Sequence, residues 1–308
     1  MMLWVLLALV IVIAALSGIA DLRRHRKDKA TPGTVSGSIA TLPSGKTYYE
    51  WHGRQDGAIA VCVHGLTTPS YVWDAVVEGL NLMGYRVLTY DLYGRGYSDR
   101  VSGQQDADFF IKQLDELLED QGVDGGIFLL GYSMGAAIAT SYCAKQPNMM
   151  ERMVLLAPVG FGVKTNRLQD FIVKTPVIGD WLMGVLGGWM LRKAIAAEAE
   201  IPSKVPDIYS RQIKETYVRG FLPAVLSSMR HMLPRTQENL HRIIADADIP
   251  VAAIWGEADT VIPISGIGKL AEVNRAAYQT MIPDAPHALL YTHPDEVHKA
   301  LQEFLREV

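Results

Sequence analysis

The stretch FLLGYSMGAA, residues 128–137, sets Ser133 between two glycines. The apolar run Ile127 to Leu130 before it reads as a buried strand, and the alanine-rich run Met134 to Ala144 after it reads as a helix. A serine at so tight a strand-to-helix turn is presented for attack on a carbonyl carbon. A hydroxyl is a weak nucleophile, so it needs a base, and the base needs an orienting carboxylate. Both should lie in loops beyond the C-terminal ends of strands, where ligands of open α/β sheets bind. Asp259 lies just past the strand in IPVAAIWG, and His287 follows the last strand in MIPDAPHALL. Glu257 is a rival acid and His293 a rival base, whereas Asp246 and Asp248 precede their strand and fall at the wrong end of the sheet. His64 reads as a loop-bracing residue and His25 as part of a basic flank. His52, His231, His241 and His298 carry no motif.

The elements that must position these groups alternate. Strands are expected at 46–53, 58–65, 85–92, 152–158, 249–256 and 276–283. Helices are expected over about Tyr71 to Met83, Ala107 to Gln121, Ile264 to Asn274 and from Pro294 onward. That order predicts an α/β fold, a mostly parallel central sheet with helices on both faces. The rhythm breaks between Gly160 and Pro234, where no buried strand is legible and Trp, Met, Leu and Gly recur. One core formed by 39–158 and 236–308, interrupted by a helical cap at 159–235, fits this pattern. Most apolar side chains of the cap, Met190 among them, should pack internally. Trp181, Met183 and Trp189 are the candidates for lining an apolar substrate pocket.

The chain has 308 residues and a net charge of −4, so nothing global points to nucleic acid. Its two cysteines, Cys62 and Cys143, fall in apolar runs and read as buried free thiols; neither disulfide nor metal spacing is present. Residues 1–20 carry no charged side chain, and about 20 such residues just span a bilayer core. The basic cluster Arg23 to Lys29 follows, suited to anionic headgroups. Because positive charge after an apolar segment tends to stay cytoplasmic, an uncleaved anchor with a cytoplasmic domain is expected. The alternative is a signal peptide cleaved near Ala20, giving a secreted or periplasmic protein. Residues 21–38 form the basic flank and linker.

The order Ser133, Asp259, His287 comes with HGL at 64–66 and DLYGRGYS at 91–98, each after a strand. On these four islands the chain resembles the α/β-hydrolases over roughly 40–158 and 236–308, with the insertion where that family carries a variable cap. The resemblance implies Ser133 as nucleophile, His287 as base and Asp259 as its orienting acid. It also implies an oxyanion hole from the backbone N–H groups of Leu66 and Met134. One departure is Pro286, where the family often has glycine before its histidine. Haloalkane dehalogenases and epoxide hydrolases of the superfamily use an aspartate at the turn, so serine points away from them. Acyl transfer to water remains, with no metal or organic cofactor called for. The apolar cap and anchor favour lipophilic carboxylic esters, monoacylglycerols included. A carbon–carbon bond hydrolase using the same triad and an inactive membrane-tethered binding module are the alternatives.

Overall fold

The computed structural model describes residues 36–307 continuously, with Trp4, Val12, Ala15, Leu16, Gly18, Ile19, Ala20 and Arg24 before them. Most of the expected anchor at 1–20 and most of the flank and linker at 21–38 therefore lie outside the described residues. Among the described residues no helix is long and apolar enough to cross a membrane.

The first part of the chain runs β1 (Ser38–Leu42), β2 (Gly45–His52), β3 (Ala58–Val63), a short 3₁₀ turn, α1 (Asp74–Leu82), β4 (Tyr85–Tyr90), α2 (Ala107–Asp120), β5 (Ile127–Tyr132), α3 (Met134–Lys145) and β6 (Met150–Leu156). A helical stretch follows: α4 (Arg167–Lys174), α5 (Ile178–Leu182), a π-helical segment (Met183–Gly187), α6 (Gly188–Glu198), α7 (Ile208–Glu215), α8 (Phe221–His231) and α9 (Glu238–Asp246). The chain then returns to the sheet with β7 (Val251–Gly256), α10 (Gly266–Val273), β8 (Tyr278–Ile282), α11 (Leu289–Thr292) and α12 (Pro294–Glu307).

The eight strands form one sheet in the order β1-β2-β4-β3-β5-β6-β7-β8. The pairs β1–β2 and β2–β4 are antiparallel and the rest are parallel. Strands buried on both faces need no polar alternation, which is why AIAVCV and VAAIWG read as unbroken apolar runs. The two-residue strand period nevertheless sorts their side chains. Val61, Val63, Leu129, Leu155 and Ala253 join one apolar cluster with α2 and α3. Ala60, Cys62, Leu130, Val154 and Ile254 join the opposite one with α1 and α12. Both cysteines are free and buried, and burial pushes the Cys143 thiol up to about 12.

Between β6 and β7 the described residues contain no strand. A third apolar cluster, including Ile172, Met183, Phe221, Leu222 and Val225, holds the helices there together. The sequence reading missed β1, which it placed in and just beyond the linker, because a short edge strand buries only Ala40 and Leu42. It also missed the single turn of α11.

Trp73 is fully buried against α1 and α12 neighbours, yet its indole N–H has no acceptor among the described residues. Trp73→Ala should cost about 3–5 kcal/mol in urea unfolding. Trp73→Phe, which keeps an aromatic ring and removes the orphan donor, should stay within about 1.5 kcal/mol of the parent.

Candidate active site

Ser133 joins β5 to α3 with φ 55° and ψ −117°. A side chain at positive φ is strained by about 1–3 kcal/mol, so the surrounding backbone must hold it there. Its N–H donates to the Leu156 carbonyl at 2.9 Å, and its carbonyl accepts from Ala136 at 3.0 Å and Val159 at 3.2 Å. The flanking glycines are obligatory for a different reason. A Cβ on Gly131 would lie 2.5 Å from the Gly135 carbonyl oxygen, and one on Gly135 would lie 2.1 Å from that of Val63. Three backbone segments meet where only hydrogen atoms fit.

The structure brings the three predicted residues together. His287 Nε2 lies 2.9 Å from Ser133 Oγ, and His287 Nδ1 lies 2.8 Å from Asp259 Oδ2. A carboxylate only accepts, so Nδ1 carries the ring proton and Nε2 is left to accept from the hydroxyl. Asp259 Oδ1 accepts from the Val261 and Ile262 N–H groups at 2.7 and 2.8 Å, which fixes the carboxylate plane. Burial pushes the Asp259 carboxyl up, but the hydrogen bond and charge of His287 and the two backbone donors outweigh it, and the group sits below the usual carboxylate range. Tyr132, the residue before the serine, stacks on the His287 ring at 5.6 Å and donates to the His287 carbonyl at 3.0 Å.

The Leu66 and Met134 N–H groups have no acceptor among the described residues. Their orientation is set through the far side of each planar peptide. The carbonyl paired with the Leu66 N–H is that of Gly65, which accepts from His64 Nδ1 at 2.8 Å. His64 Nε2 in turn accepts from the Leu92 N–H at 2.9 Å. Burial lowers the His64 pKa to about 4, so the ring stays neutral and keeps one donor and one acceptor. The carbonyl paired with the Met134 N–H is that of Ser133, already held by two donors. Two free donors with fixed directions are what a developing oxyanion requires.

Arg95 braces the same loop. Its fully buried guanidinium donates to the Leu66 carbonyl at 3.0 Å and to Ser228 Oγ of α8 at 2.8 Å, and it also bonds Gln105. Burial, with Arg100 nearby, lowers its pKa to about 9.

The rivals stand elsewhere. Glu257 is exposed and accepts from the Asp284 N–H, and His293 bonds Thr292. Asp246 ends α9 ahead of β7, and Asp248 also precedes that strand. Among the described residues no group of three His, Cys, Asp or Glu side chains converges as a metal site would.

A cavity of about 120 Å³ opens at Ser133, lined on the sheet side by Leu66, Thr68, Tyr132 and His287. Leu191, Ala194 and Glu198 of α6, Gln212 of α7 and Tyr291 complete it. Tyr291 donates to Glu198 at 3.1 Å, and burial pushes the Glu198 carboxyl up. Trp181, Met183 and Trp189 do not line this space. Met183 and Trp189 instead line a second cavity of about 460 Å³ on the other side of α6, with Leu191 and Ala194 common to both. Glu198, Gln212 and Tyr291 were not expected, because they come from helices that carry no motif. Tyr132 was within reach, since it is the second residue of the glycine–serine pattern.

The family model described as serine aminopeptidase, S33, matches residues 54–293. Monoacylglycerol lipase abhd6-A of Xenopus laevis is 26% identical over 267 residues, covering 80% of this chain and 75% of that protein. The bifunctional esterase/perhydrolase DCH of Acinetobacter calcoaceticus is 23% identical over 283 residues, covering 88% and 99%. Among solved structures, a bromoperoxidase from Bacillus anthracis superposes with a TM-score of 0.73 at 21% identity, covering 88% of this chain and all of that one. A likeness at that identity establishes the α/β-hydrolase fold.

Because Asp259 is held below its unfolded pKa, its contribution to stability is present above the usual carboxylate range and is lost as pH falls through the lowered folded value. The parent should therefore resist urea better than Asp259→Asn at pH 7. Unfolding series taken down to about pH 3 should show the two midpoints converging.

Proposed function

The chain belongs to the family described as serine aminopeptidase, S33, within the α/β-hydrolase superfamily, and on that premise we propose a serine hydrolase that cleaves carboxylic esters of lipophilic substrates. The observation that carries this reading is the unbroken relay from Asp259 through His287 to Ser133, at 2.8 and 2.9 Å. In the proposed reaction Ser133 Oγ attacks the ester carbonyl while His287 Nε2 takes its proton. The imidazolium is stabilised by Asp259, and the oxyanion by the Leu66 and Met134 N–H groups. Proton return from His287 releases the alcohol. Water activated by the same ring then hydrolyses the acyl-enzyme.

Three features support lipophilic esters. The space at Ser133, about 120 Å³, is far below the roughly 300–1,000 Å³ of a drug-sized site. A long acyl chain would have to pass Leu191 and Ala194 into the larger apolar cavity beyond α6. Two relatives bear the names of a monoacylglycerol lipase and an esterase. The apolar segment 1–20 and the basic residues Arg23 to Lys29 belong to the same proposal, as an anchor holding the enzyme at the cytoplasmic face of a membrane where such substrates reside.

Glu198 favours a second reading, that of an aminopeptidase as the family description names. Its carboxyl lines the cavity with Ser133 and could pair with a free amine.

Ser133→Ala should lose fluorophosphonate labelling and at least about 10⁴-fold of ester turnover while keeping its fold. Unchanged hydrolysis of butyrate and laurate esters by that variant would end the serine mechanism. Glu198→Gln should keep uncharged-ester turnover within a few-fold under the ester reading, whereas under the second it should abolish cleavage of aminoacyl anilides. Steady-state rates on the two substrate classes separate these outcomes.

A further inference from the structure

Eleven large apolar side chains are exposed between residues 36 and 307, and six of them fall within residues 168–189. They are Leu168 and Phe171 of α4, Val177 and Ile178 at the α4–α5 turn, Leu186 of the π-helical segment and Trp189 of α6. Scattered exposed leucines need no explanation, but a concentration in one short stretch marks a contact face. Leu168 and Trp189 also border the 460 Å³ cavity, so this face meets the space that would receive an acyl chain.

The turn at Val177 is built against the grain of its sequence. Val177 has φ 67° and ψ −60°, and the Ile178 N–H donates back to the Pro176 carbonyl at 2.8 Å. This is a γ-turn of the rare, positive-φ hand, strained for any L-residue and more so for a β-branched one. The Asp180 carboxylate holds it by accepting from the Val177 N–H at 2.8 Å. The strained residue is 79% exposed, so neither packing nor local conformation accounts for a valine at that tip. Strain retained at an exposed apolar tip points to something the tip must touch.

The position of the face relative to the N-terminal segment names the occupant. Arg24 Nη2 donates to the Gly184 carbonyl of the π-helical segment at 2.6 Å, beside Leu186. Ala20, the end of the apolar segment, precedes Arg24 by four residues, so it lies within about 14 Å of the Arg24 backbone. A segment residing in a bilayer would therefore bring that bilayer against this side of the molecule. Arg167, Lys174 and Lys193 are exposed around the apolar group, while Asp170 and Asp180 are paired with Lys174 and Arg230. Apolar tips ringed by exposed cations suit an anionic lipid surface.

We propose that the face formed by α4, the Val177 turn, the π-helical segment and the start of α6 docks into the bilayer, and that lipid esters enter the cavity behind it from the membrane. This inference rests on the lipophilic-ester reading above.

The test uses the full chain with vesicles of phosphatidylcholine and a minor share of phosphatidylglycerol, their acyl chains brominated. A combined Phe171→Ser, Val177→Ser and Ile178→Ser variant alters the face without touching either cavity. It should hydrolyse a dissolved butyrate ester like the parent, but a long-chain monoacylglycerol embedded in vesicles about fivefold or more slowly. Bromine quenching of Trp189, isolated by subtracting a Trp189→Phe protein, should be present in the parent and lost in the variant. An unchanged vesicle rate together with an unquenched Trp189 in the parent would overturn the proposal. So would a parent dimer that the variant dissolves, with Trp189 unquenched, since the face would then bind a second copy. If the parent hydrolyses neither ester, the functional reading falls, and quenching alone decides the docking face.

Discussion

The bend at Ser133 exists because two glycines let β5, the start of α3 and the end of β3 approach more closely than any side chain allows. A bend without clamps would relax to negative φ and swing the hydroxyl away from His287. Leu156, Ala136 and Val159 supply those clamps through backbone hydrogen bonds, so the sheet itself holds the serine in place. The same bonds fix the Ser133 carbonyl and, through the planar peptide, the Met134 N–H. One local constraint thus sets both the Ser133 hydroxyl and one of the two free donors beside it.

This dependence explains what could be read in the sequence. Glycines that permit a close approach are a local demand, legible as G-x-S-x-G without knowledge of the rest of the fold. Asp259 and His287 were legible because each follows a segment that reads as a strand, the fully buried VAAIWG and the half-buried YQTMI, and strand order then carries them to one edge of the sheet. Buried parallel strands announce themselves as continuous apolar runs, whereas β1, half-covered at the sheet edge, does not.

The helical stretch between β6 and β7 was legible only as helical. Its apolar residues divide among an internal cluster, two cavities and an exposed face, and nothing in their identity says which. Met183 and Trp189, expected to line a substrate pocket, border the outer cavity and not the space at the serine, because the path of the π-helical segment and α6 decides which side each residue faces. The polar wall of Glu198, Gln212 and Tyr291 is assembled from three separate elements with no shared spacing. Such a wall can only be read once the chain is folded.

Arg95 has a consequence for how the helical stretch can move. Its cation has no carboxylate partner among the hydrogen bonds it makes, and its charge is spread over the Leu66 carbonyl, Gln105 and Ser228 of α8. Lifting α8 would strip acceptors from a buried ion, at a cost of several kcal/mol. The α8 side is therefore the anchored edge of the helical stretch, and Arg230 of α8 carries that hold outward by donating to the Ile172 and Val173 carbonyls of α4.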